Sequence, residues 1–275
     1  MRGICSTRKI GHSGTLDPMA TGVLPIFIGR ATKAIDLQLN HDKEYEAVLL
    51  LGLKTDTGDI TGQILEERVP DGITEAALCS VLPNFLGEQM QLPPMYSAVK
   101  IQGKPLYKYA REGKAVERKP RPVVIHELEY LGPAGTNRFS LRVHCSKGTY
   151  IRTLLEDIGH ALGIPATLAA LRRTAAGDFT LLQSHSLEEI QLAKQSDSLQ
   201  KLLCPVESLF GRLPALTLDS TAFSKLCNGV SVAGLQQKAG LYRVLFDGRF
   251  IGLATMRPDR TLRAEKLFFV NEATP

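Results

Sequence analysis

A glycine-bounded run near the N terminus carries the side chain best suited to chemistry. The run is Gly11-His12-Ser13-Gly14-Thr15-Leu16-Asp17-Pro18, followed by Ala20-Thr21-Gly22-Val23-Leu24-Pro25. Gly11 and Gly14 allow the backbone to turn tightly or to approach a ligand closely. Pro18 biases Asp17 toward an extended conformation. The carboxylate of Asp17 is therefore predicted to project from a shaped loop as a candidate catalytic group, and a carboxylate that simply caps a turn is the plainer alternative.

Positive charge is concentrated in one segment, residues 100–122. The segment has eight basic and two acidic residues, a surplus of six, whereas the whole chain has a net charge of +5. Tyrosines at 96, 107 and 109 border or interrupt it. Basic side chains neutralise phosphates and tyrosines stack on bases, so the pattern indicates contact with nucleic acid; a solvated surface is the alternative. The basic residues singled out as RNA contacts are Lys104, Lys108 and Arg111.

The remaining composition narrows the class of protein. The chain has 275 residues, 44% of them hydrophobic, which suits one large domain and one small one. No apolar run approaches the ~20 residues of a membrane span, and the first residues lack the apolar stretch of a secretory signal. Five scattered cysteines without a C-x-x-C pair indicate a reduced compartment rather than a disulfide framework or a zinc site. We expect a cytoplasmic protein that binds no membrane and no metal.

Several short elements are predicted to position the Asp17 loop. The glycine-bounded apolar run at 22–29 predicts one buried strand. Helical spacing follows at 31–39, and another strand is predicted at 45–51. A polar turn at 54–62 should return the chain as a hairpin through 63–67. Apolar residues on one side predict an amphipathic helix over 150–162.

Further elements complete the expected organisation. Thr74 is expected to cap a helix over 74–86. Residues 121–131 and 138–145 predict paired strands around a turn. A polar stretch without periodicity at 191–198 predicts a linker. Beyond Leu213 a small β module is predicted, with strands at 216–218, 242–246, 250–256 and 262–269 and turns near 247–248 and 258–259.

The run around Asp17 resembles the catalytic motif of the TruB family of pseudouridine synthases, which isomerise a uridine in the T loop of tRNA. Other blocks resemble the family in the family's own order and cover residues from about 8 to 175. They are Asp42-Lys43-Glu44-Tyr45, Lys54-Thr55-Asp56-Thr57-Gly58-Asp59, Pro94-Met95-Tyr96-Ser97-Ala98-Val99-Lys100, Cys145-Ser146-Lys147-Gly148-Thr149-Tyr150-Ile151-Arg152 and Leu171-Arg172-Arg173.

The resemblance implies roles for matching residues. Asp17 is expected to be the nucleophile, with Arg152 paired to it and favouring its ionised form. Tyr45 is expected to stack on the flipped uracil and to assist proton transfer. Tyr150 and Leu171 are expected to line the base pocket, and His12 to occupy the space that extruded T-loop bases vacate. Each of these residues also has an ordinary structural interpretation, as packing or surface residues. An isomerisation implies no cofactor.

The resemblance also implies an α/β (α+β) pseudouridine synthase fold with a mixed, largely antiparallel sheet over residues 1–205. A PUA-like RNA-binding domain is expected over 206–275. The family's first strand and its Lys-Pro turn are expected to be missing, because the chain starts within the helix that follows them. The expected partner is the T arm of tRNA, bound by a monomer. The competing hypothesis is a catalytically impaired RNA-binding or tRNA-folding protein derived from the same family.

Overall fold

A computed structural model describes residues 1–268 of the chain. Within these residues, most strands are short and a few long ones form the main sheet. In chain order they are β1 (Ile10–His12), β2 (Thr21–Gly22), β3 (Ile26–Ile28), β4 (Lys43–Leu51), β5 (Leu53–Thr55), β6 (Ile64–Glu67), β7 (Gly87–Gln91), β8 (Lys100–Ile101), β9 (Lys104–Pro105), β10 (Arg121–Gly135), β11 (Arg138–Cys145), β12 (Ala166–Ala176), β13 (Phe179–Thr180), β14 (Ala215–Thr217), β15 (Val232–Ala233), β16 (Gly240–Phe246), β17 (Arg249–Met256) and β18 (Thr261–Leu267).

The helices of the same residues are short. The α-helices are α1 (Glu75–Val81), α2 (Leu106–Arg111), α3 (Ile151–Ala161), α4 (Leu187–Gln195) and α5 (Ser220–Cys227). The 3-10 helices are Gly29–Leu37, Leu82–Phe85, Leu181–Gln183, Leu199–Leu202 and Val206–Phe210. No helix within residues 1–268 is long and apolar enough to cross a membrane.

The chain packs as two compact units that are not continuous in sequence. One unit, called the sheet unit below, comprises residues 14–24 and 40–184. The other comprises residues 1–13, 25–39 and the described chain from His185 onward. The predicted boundary between residues 205 and 206 stays a prediction.

A seven-stranded sheet organises the sheet unit, in the order β13-β12-β4-β11-β10-β7 with β2 added on β12. Every pairing is antiparallel except the parallel pairing of β2 with β12. The alternation of buried and less buried residues along β4 shows that one face of the sheet is covered. That face packs against α3, whose Leu154, Leu155 and Ile158 are buried in the same core as Leu49 and Leu168. The mixed, largely antiparallel sheet is as predicted.

Most local predictions for the sheet unit are confirmed. The β5–β6 and β10–β11 hairpins are present, and α3 starts within one residue of its predicted position. The Thr74 side chain accepts a hydrogen bond from the backbone of Ala77, as expected of a helix cap, although α1 gives way to a 3-10 helix after Val81.

The prediction of a single buried strand over 22–29 is wrong. Gly22 has a φ of +99°, and Leu24 is exposed. The chain therefore leaves β2 almost at once and forms the separate strand β3, which pairs with β1. Pro25, which has no backbone N–H, lies between the two strands.

The predicted linker over 191–198 is also wrong, since α4 runs through Gln195. Ser186 and Glu189 form a capping box at its start: the Ser186 hydroxyl accepts from the Glu189 backbone at 3.1 Å, and the Glu189 carboxylate accepts from the Ser186 backbone at 2.7 Å. The Ser-x-x-Glu pattern is present in the sequence, and as a signal for the start of a helix it outweighs the weak periodicity of residues 191–198.

The predicted β module at the C-terminal end is present. Its sheet has the order β14-β16-β17-β18-β15, with hairpin turns at the two predicted positions. Helix α5 packs Phe223 and Leu226 into the module's core, and Asp219 caps it through a 2.7 Å hydrogen bond from the Ala222 backbone. The last predicted strand ends at Phe269, which lies outside the described residues.

Candidate active site

Asp17 lies in the loop of the sheet unit that precedes β2. Its backbone carbonyl accepts from the Ala20 N–H at 2.9 Å, which closes a turn, and Gly14 supplies a φ of +103° at the start of the loop. The Asp17 side chain, about one-third exposed at 34%, is not used in this turn. Its carboxylate is therefore free to serve a partner outside the loop, which removes the turn-capping alternative.

That partner is Arg152, at the second position of α3. The guanidinium meets the carboxylate in a two-point contact, with Nε 2.9 Å from Oδ2 and Nη2 3.0 Å from Oδ1 of Asp17. The Arg152 side chain is 5% exposed. A cation near a helix N terminus is unfavourable on its own, and the two charge-assisted hydrogen bonds offset that cost. The sequence-based pairing of the two residues is present in the structure.

The other donors of Arg152 bind backbone carbonyls from two further segments. Nη1 donates to the Thr57 carbonyl at 2.8 Å, and Nη2 donates to the Tyr96 carbonyl at 2.9 Å. Thr57 lies in the connection between β5 and β6, and Tyr96 precedes the basic segment. The guanidinium is thus fixed in orientation before any substrate arrives, which is what a preorganised site requires.

A second carboxylate, Asp59, lies near the Nη1 nitrogen of Arg152, which does not contact Asp17. Its Oδ2 is 4.0 Å from Nη1 of Arg152, and the side chain is 7% exposed. Its Oδ1 accepts from the Thr61 backbone and from the Thr57 hydroxyl, each at 3.0 Å. These bonds hold the buried carboxylate in place, so Arg152 lies between two negative charges.

Burial raises the pKa of Asp17 above its ordinary value of 3.8. Arg152 opposes this rise, because a cation favours the ionised carboxyl group, whereas the negative charge of Asp59 adds to it. Arg152 therefore acts in the direction expected from the sequence, but burial outweighs it.

Tyr45 lies on β4, on the covered face of the sheet, and is 9% exposed. Burial raises the pKa of its phenol, and Asp17 adds to the rise, whereas Arg173 opposes it. Arg173 is its neighbour on β12, and Leu171 is paired with Ala47 one step further along the same face. Tyr45 and Leu171 both belong to the main core of the sheet unit. The phenol keeps its proton at neutral pH, so it is able to donate a hydrogen bond there.

Tyr150 immediately precedes α3, two residues before Arg152. The side-chain amide of Gln91, on β7, binds both polar groups of the Tyr150 backbone. The Tyr150 N–H donates to Gln91 Oε1 at 2.7 Å, and Gln91 Nε2 donates to the Tyr150 carbonyl at 3.1 Å. Gln91 is 6% exposed. One buried amide therefore fixes the start of the helix that carries Arg152.

The basic segment begins with the β8–β9 hairpin and continues through α2. Lys108 and Arg111 on α2 are exposed, whereas Lys104 is ion-paired with Glu112. Lys104 Nζ also lies 4.5 Å from the centre of the Tyr109 ring, and the guanidinium of Arg111 lies 5.4 Å from that of Tyr107. Of the three residues singled out from the sequence, Lys108 and Arg111 are thus the more available to a phosphate.

His12 ends β1, where it is exposed and paired with Ile26. It belongs to the other compact unit, and its expected role in the T loop stays a prediction. Within residues 1–268, no group of His, Cys, Asp or Glu side chains is placed to hold a metal ion.

Three models of known protein families match this chain. The model for the TruB family pseudouridylate synthase (N terminal domain) matches residues 2–151. The model for the tRNA pseudouridylate synthase B C-terminal domain matches 152–211, and that for Pseudouridine synthase II TruB, C-terminal, matches 214–268. The chain belongs to the TruB family.

Curated TruB-family proteins are similar to this chain over nearly its whole length. The tRNA pseudouridine synthase B of Azoarcus sp. (strain BH72) is 45% identical over 269 residues, which is 96% of this chain and 89% of that protein. The protein of the same name from Bacillus pumilus (strain SAFR-032) is 45% identical over 83% of this chain and 76% of its own length.

Solved structures share the TruB-family fold. A chain in the crystal structure of a Cbf5-Nop10-Gar1 complex matches with a TM-score of 0.69 and 25% identity, over 98% of this chain and 79% of that one. A chain in the structure of an H/ACA RNP bound to a substrate RNA containing 2'-deoxyuridine matches with a TM-score of 0.70 and 22% identity, over 100% and 80%. The second likeness shows the fold alone.

Two groups that support the TruB-family site had no assigned role in the sequence. Asp59 was visible as part of the Lys54–Asp59 block, but only its burial beside Arg152 reveals what it contacts. Gln91 carries no local signal, because its partner is 59 residues away. A polar residue at the end of a strand has many possible partners, and the fold selects one of them.

Proposed function

We propose that the chain is a tRNA pseudouridine synthase that converts a uridine of the T loop, at position 55, to pseudouridine. The single observation that carries the proposal is the two-point contact between Arg152 and Asp17. A carboxylate that is about one-third exposed to water and held in one orientation by a buried guanidinium suits a nucleophile. The family and the names of its curated members supply the reaction class.

The reaction needs the target base outside the RNA stack. The Asp17 carboxylate attacks the flipped nucleotide, and the bond between the sugar and N1 of uracil breaks. The detached ring turns, and C5 bonds to the sugar in place of N1, which releases the Asp17 carboxylate in its original form. The hydrogen at C5 is lost and N1 gains one, so the product is an isomer of the substrate. The atoms balance without an oxidant, a reductant or a cofactor.

The remaining site residues have separate roles in this reaction. Tyr45 stacks on the uracil and donates a proton from its protonated phenol, while Tyr150 and Leu171 line the pocket and His12 fills the space left in the loop. Arg152 orients Asp17 throughout. Support for these roles comes from the burial of Tyr45 and Leu171 on one sheet face and from the fixed start of α3.

RNA binding is assigned to surfaces outside the pocket. Lys108 and Arg111, with Lys104 in support, contact phosphates of the T arm, because basic side chains on a short helix and hairpin suit a duplex backbone. Residues 206–275 act as a PUA-like domain that contacts the acceptor side of the tRNA, and residues 1–205 are the catalytic domain. The protein works as a monomer in the cytoplasm, where its tRNA substrate is found.

The test is to incubate the purified protein with a transcript of a tRNA T arm and to map pseudouridine at single-nucleotide resolution. We expect one modified position, the T-loop uridine, and none in a control transcript with cytidine there. RNA that binds tightly but gains no pseudouridine would overturn the proposal in favour of an RNA-folding protein. Modification outside the T loop would overturn the assigned substrate position.

A further inference from the structure

Arg173 is a fully buried guanidinium for which the proposed reaction has no stated use. Its exposed fraction is 1%, and it ranks first by volume among the side chains that are fully buried. Within residues 1–268, no carboxylate lies within ion-pair distance of it. A buried charge without a counter-ion is costly. A guanidinium buried on the sheet face that carries Tyr45 is therefore expected to have a structural or functional role.

The donors of Arg173 bind backbone carbonyls of the Asp17 loop. Nε donates to the Val23 carbonyl at 2.7 Å, Nη2 to the Gly14 carbonyl at 3.3 Å and Nη1 to the Thr15 carbonyl at 3.4 Å. Two of these carbonyls precede Asp17 and the third follows it. The planar fork of a guanidinium reaches the three carbonyls from three different nitrogens in a fixed geometry, whereas a lysine presents all its donors from one nitrogen.

The backbone of Arg173 holds the same loop. Its carbonyl accepts from the Val23 N–H at 2.9 Å, and Gly22 pairs with it in the parallel β2–β12 contact. The approach is so close that a Cβ atom at Gly22 would lie 2.1 Å from the Arg173 carbonyl oxygen, and the φ of +99° at Gly22 disfavours any other residue. Main chain and side chain of one residue thus bind both ends of the loop.

We propose that Arg173 is a positioning residue that fixes the loop on both sides of Asp17 and so aligns the carboxylate with the target nucleotide. The inference rests on the proposed function and adds a second anchor to it. Arg152 holds the Asp17 carboxylate directly, whereas Arg173 holds the backbone from which that carboxylate projects. The carbonyl dipoles of the loop solvate the buried charge, which explains why it needs no carboxylate.

The test is single-turnover kinetics of Arg173→Lys with a T-arm transcript at saturating protein. A displacement of the loop by about 1 Å should lower the rate constant by about 100-fold, while the final extent of modification and the RNA affinity stay unchanged. Arg172→Lys is the matched control, because Arg172 is the neighbouring, exposed residue of β12, and it should keep the wild-type rate constant. A purely structural role would lower only the fraction of folded protein, which a thermal melt detects, and would leave the rate constant at saturating folded protein unchanged.

A second variant perturbs the same contact from the loop side. Gly22→Ala leaves the guanidinium intact but pushes β2 away from Arg173, and it should lower the rate constant in the same manner. Gly22→Ala replaces Arg173→Lys in the test if a thermal melt shows that Arg173→Lys is not folded. If the wild-type protein forms pseudouridine and the folded variants have the same rate constant as the wild type, this inference is overturned and the proposed function stands. A wild-type protein that forms no pseudouridine would overturn the proposed function, and this inference with it.

Discussion

The carboxylate of Asp59 lies 4.0 Å from the guanidinium of Arg152, on a different nitrogen from the two that hold Asp17. Arg152 therefore shares its charge between an acid that is 7% exposed and one that is 34% exposed. The buried acid is held by the Thr57 hydroxyl and the Thr61 backbone, so it serves the site as a fixed charge. The more exposed acid is the one that can meet a nucleotide.

This arrangement predicts the pH dependence of the reaction. Asp17 reacts as the ionised carboxylate, so the rate falls as pH drops through its pKa. Burial raises that pKa, and Asp59 adds to the rise. In a plot of the single-turnover rate constant against pH, the midpoint of the acidic limb should therefore lie above pH 3.8, the ordinary pKa of aspartate. A limb at or below the ordinary value would contradict the assigned balance of burial and charge.

Two variants should move this limb in opposite directions. Asp59→Asn removes a charge that raises the pKa of Asp17, so the limb should shift to lower pH. Arg152→Gln removes the charge that lowers it, so the limb should shift to higher pH. Both shifts are measured on the residual rate of each variant, relative to its own plateau. Shifts of the same sign would show that the two charges do not act on Asp17 as described.

The amide of Gln91 is predicted to matter for both stability and rate. Gln91→Leu removes two hydrogen bonds from the Tyr150 backbone and leaves its N–H unpaired, whereas its carbonyl still accepts from the Leu154 N–H. The free energy of unfolding should fall by about 1–3 kcal/mol. The single-turnover rate should fall by about 10- to 100-fold, because α3 and its Arg152 lose their fixed start. Denaturant unfolding and pseudouridine formation measure the two effects.

Gln89→Leu is the matched control for this variant. Gln89 lies on the same strand and the same face, but its amide makes only long contacts, at 3.4 and 3.5 Å, to the carbonyls of Leu86 and Asn84. Its loss should change neither the stability nor the rate. Equal effects in the two variants would mean that the strand, rather than the contact with Tyr150, is responsible.

The basic segment is predicted to act through phosphate contacts. Lys108→Gln and Arg111→Gln should each weaken RNA binding and reduce the slope of log K against log salt by about 0.7–0.9. Lys104→Gln should reduce the slope less, because its ammonium group is already paired with Glu112. Binding titrations at several salt concentrations measure all three slopes. A slope that stays at the wild-type value in the Lys108 and Arg111 variants would rule out this contact surface.

The sequence predicted the elements whose signals are local. The strand predicted at 45–51, the hairpins and the apolar face of α3 depend on residues close together in the chain, and the structure has them. The pairing of Asp17 with Arg152, 135 positions apart, came instead from the resemblance to a family. No periodicity or spacing would have brought those two residues together.

The errors and omissions also have physical causes. The run at 22–29 is apolar throughout, but a positive φ at Gly22 and the missing N–H of Pro25 divide it between two sheets. The stretch at 191–198 is polar because α4 is largely exposed, while its capping box lies five residues upstream at Ser186. The sequence does not distinguish Arg173 from its neighbour Arg172. The alternation of side chains along β12 buries Arg173 and exposes Arg172.

The most direct test of the account compares the wild-type protein with Asp17→Asn, which keeps the shape of the side chain and removes its charge. Both proteins are mixed with a T-arm transcript, RNA affinity is measured, and pseudouridine is mapped after one turnover. We predict that both bind the RNA with similar affinity and that only the wild type converts the T-loop uridine. Pseudouridine formation by the asparagine variant at a comparable rate would contradict the central role of the carboxylate.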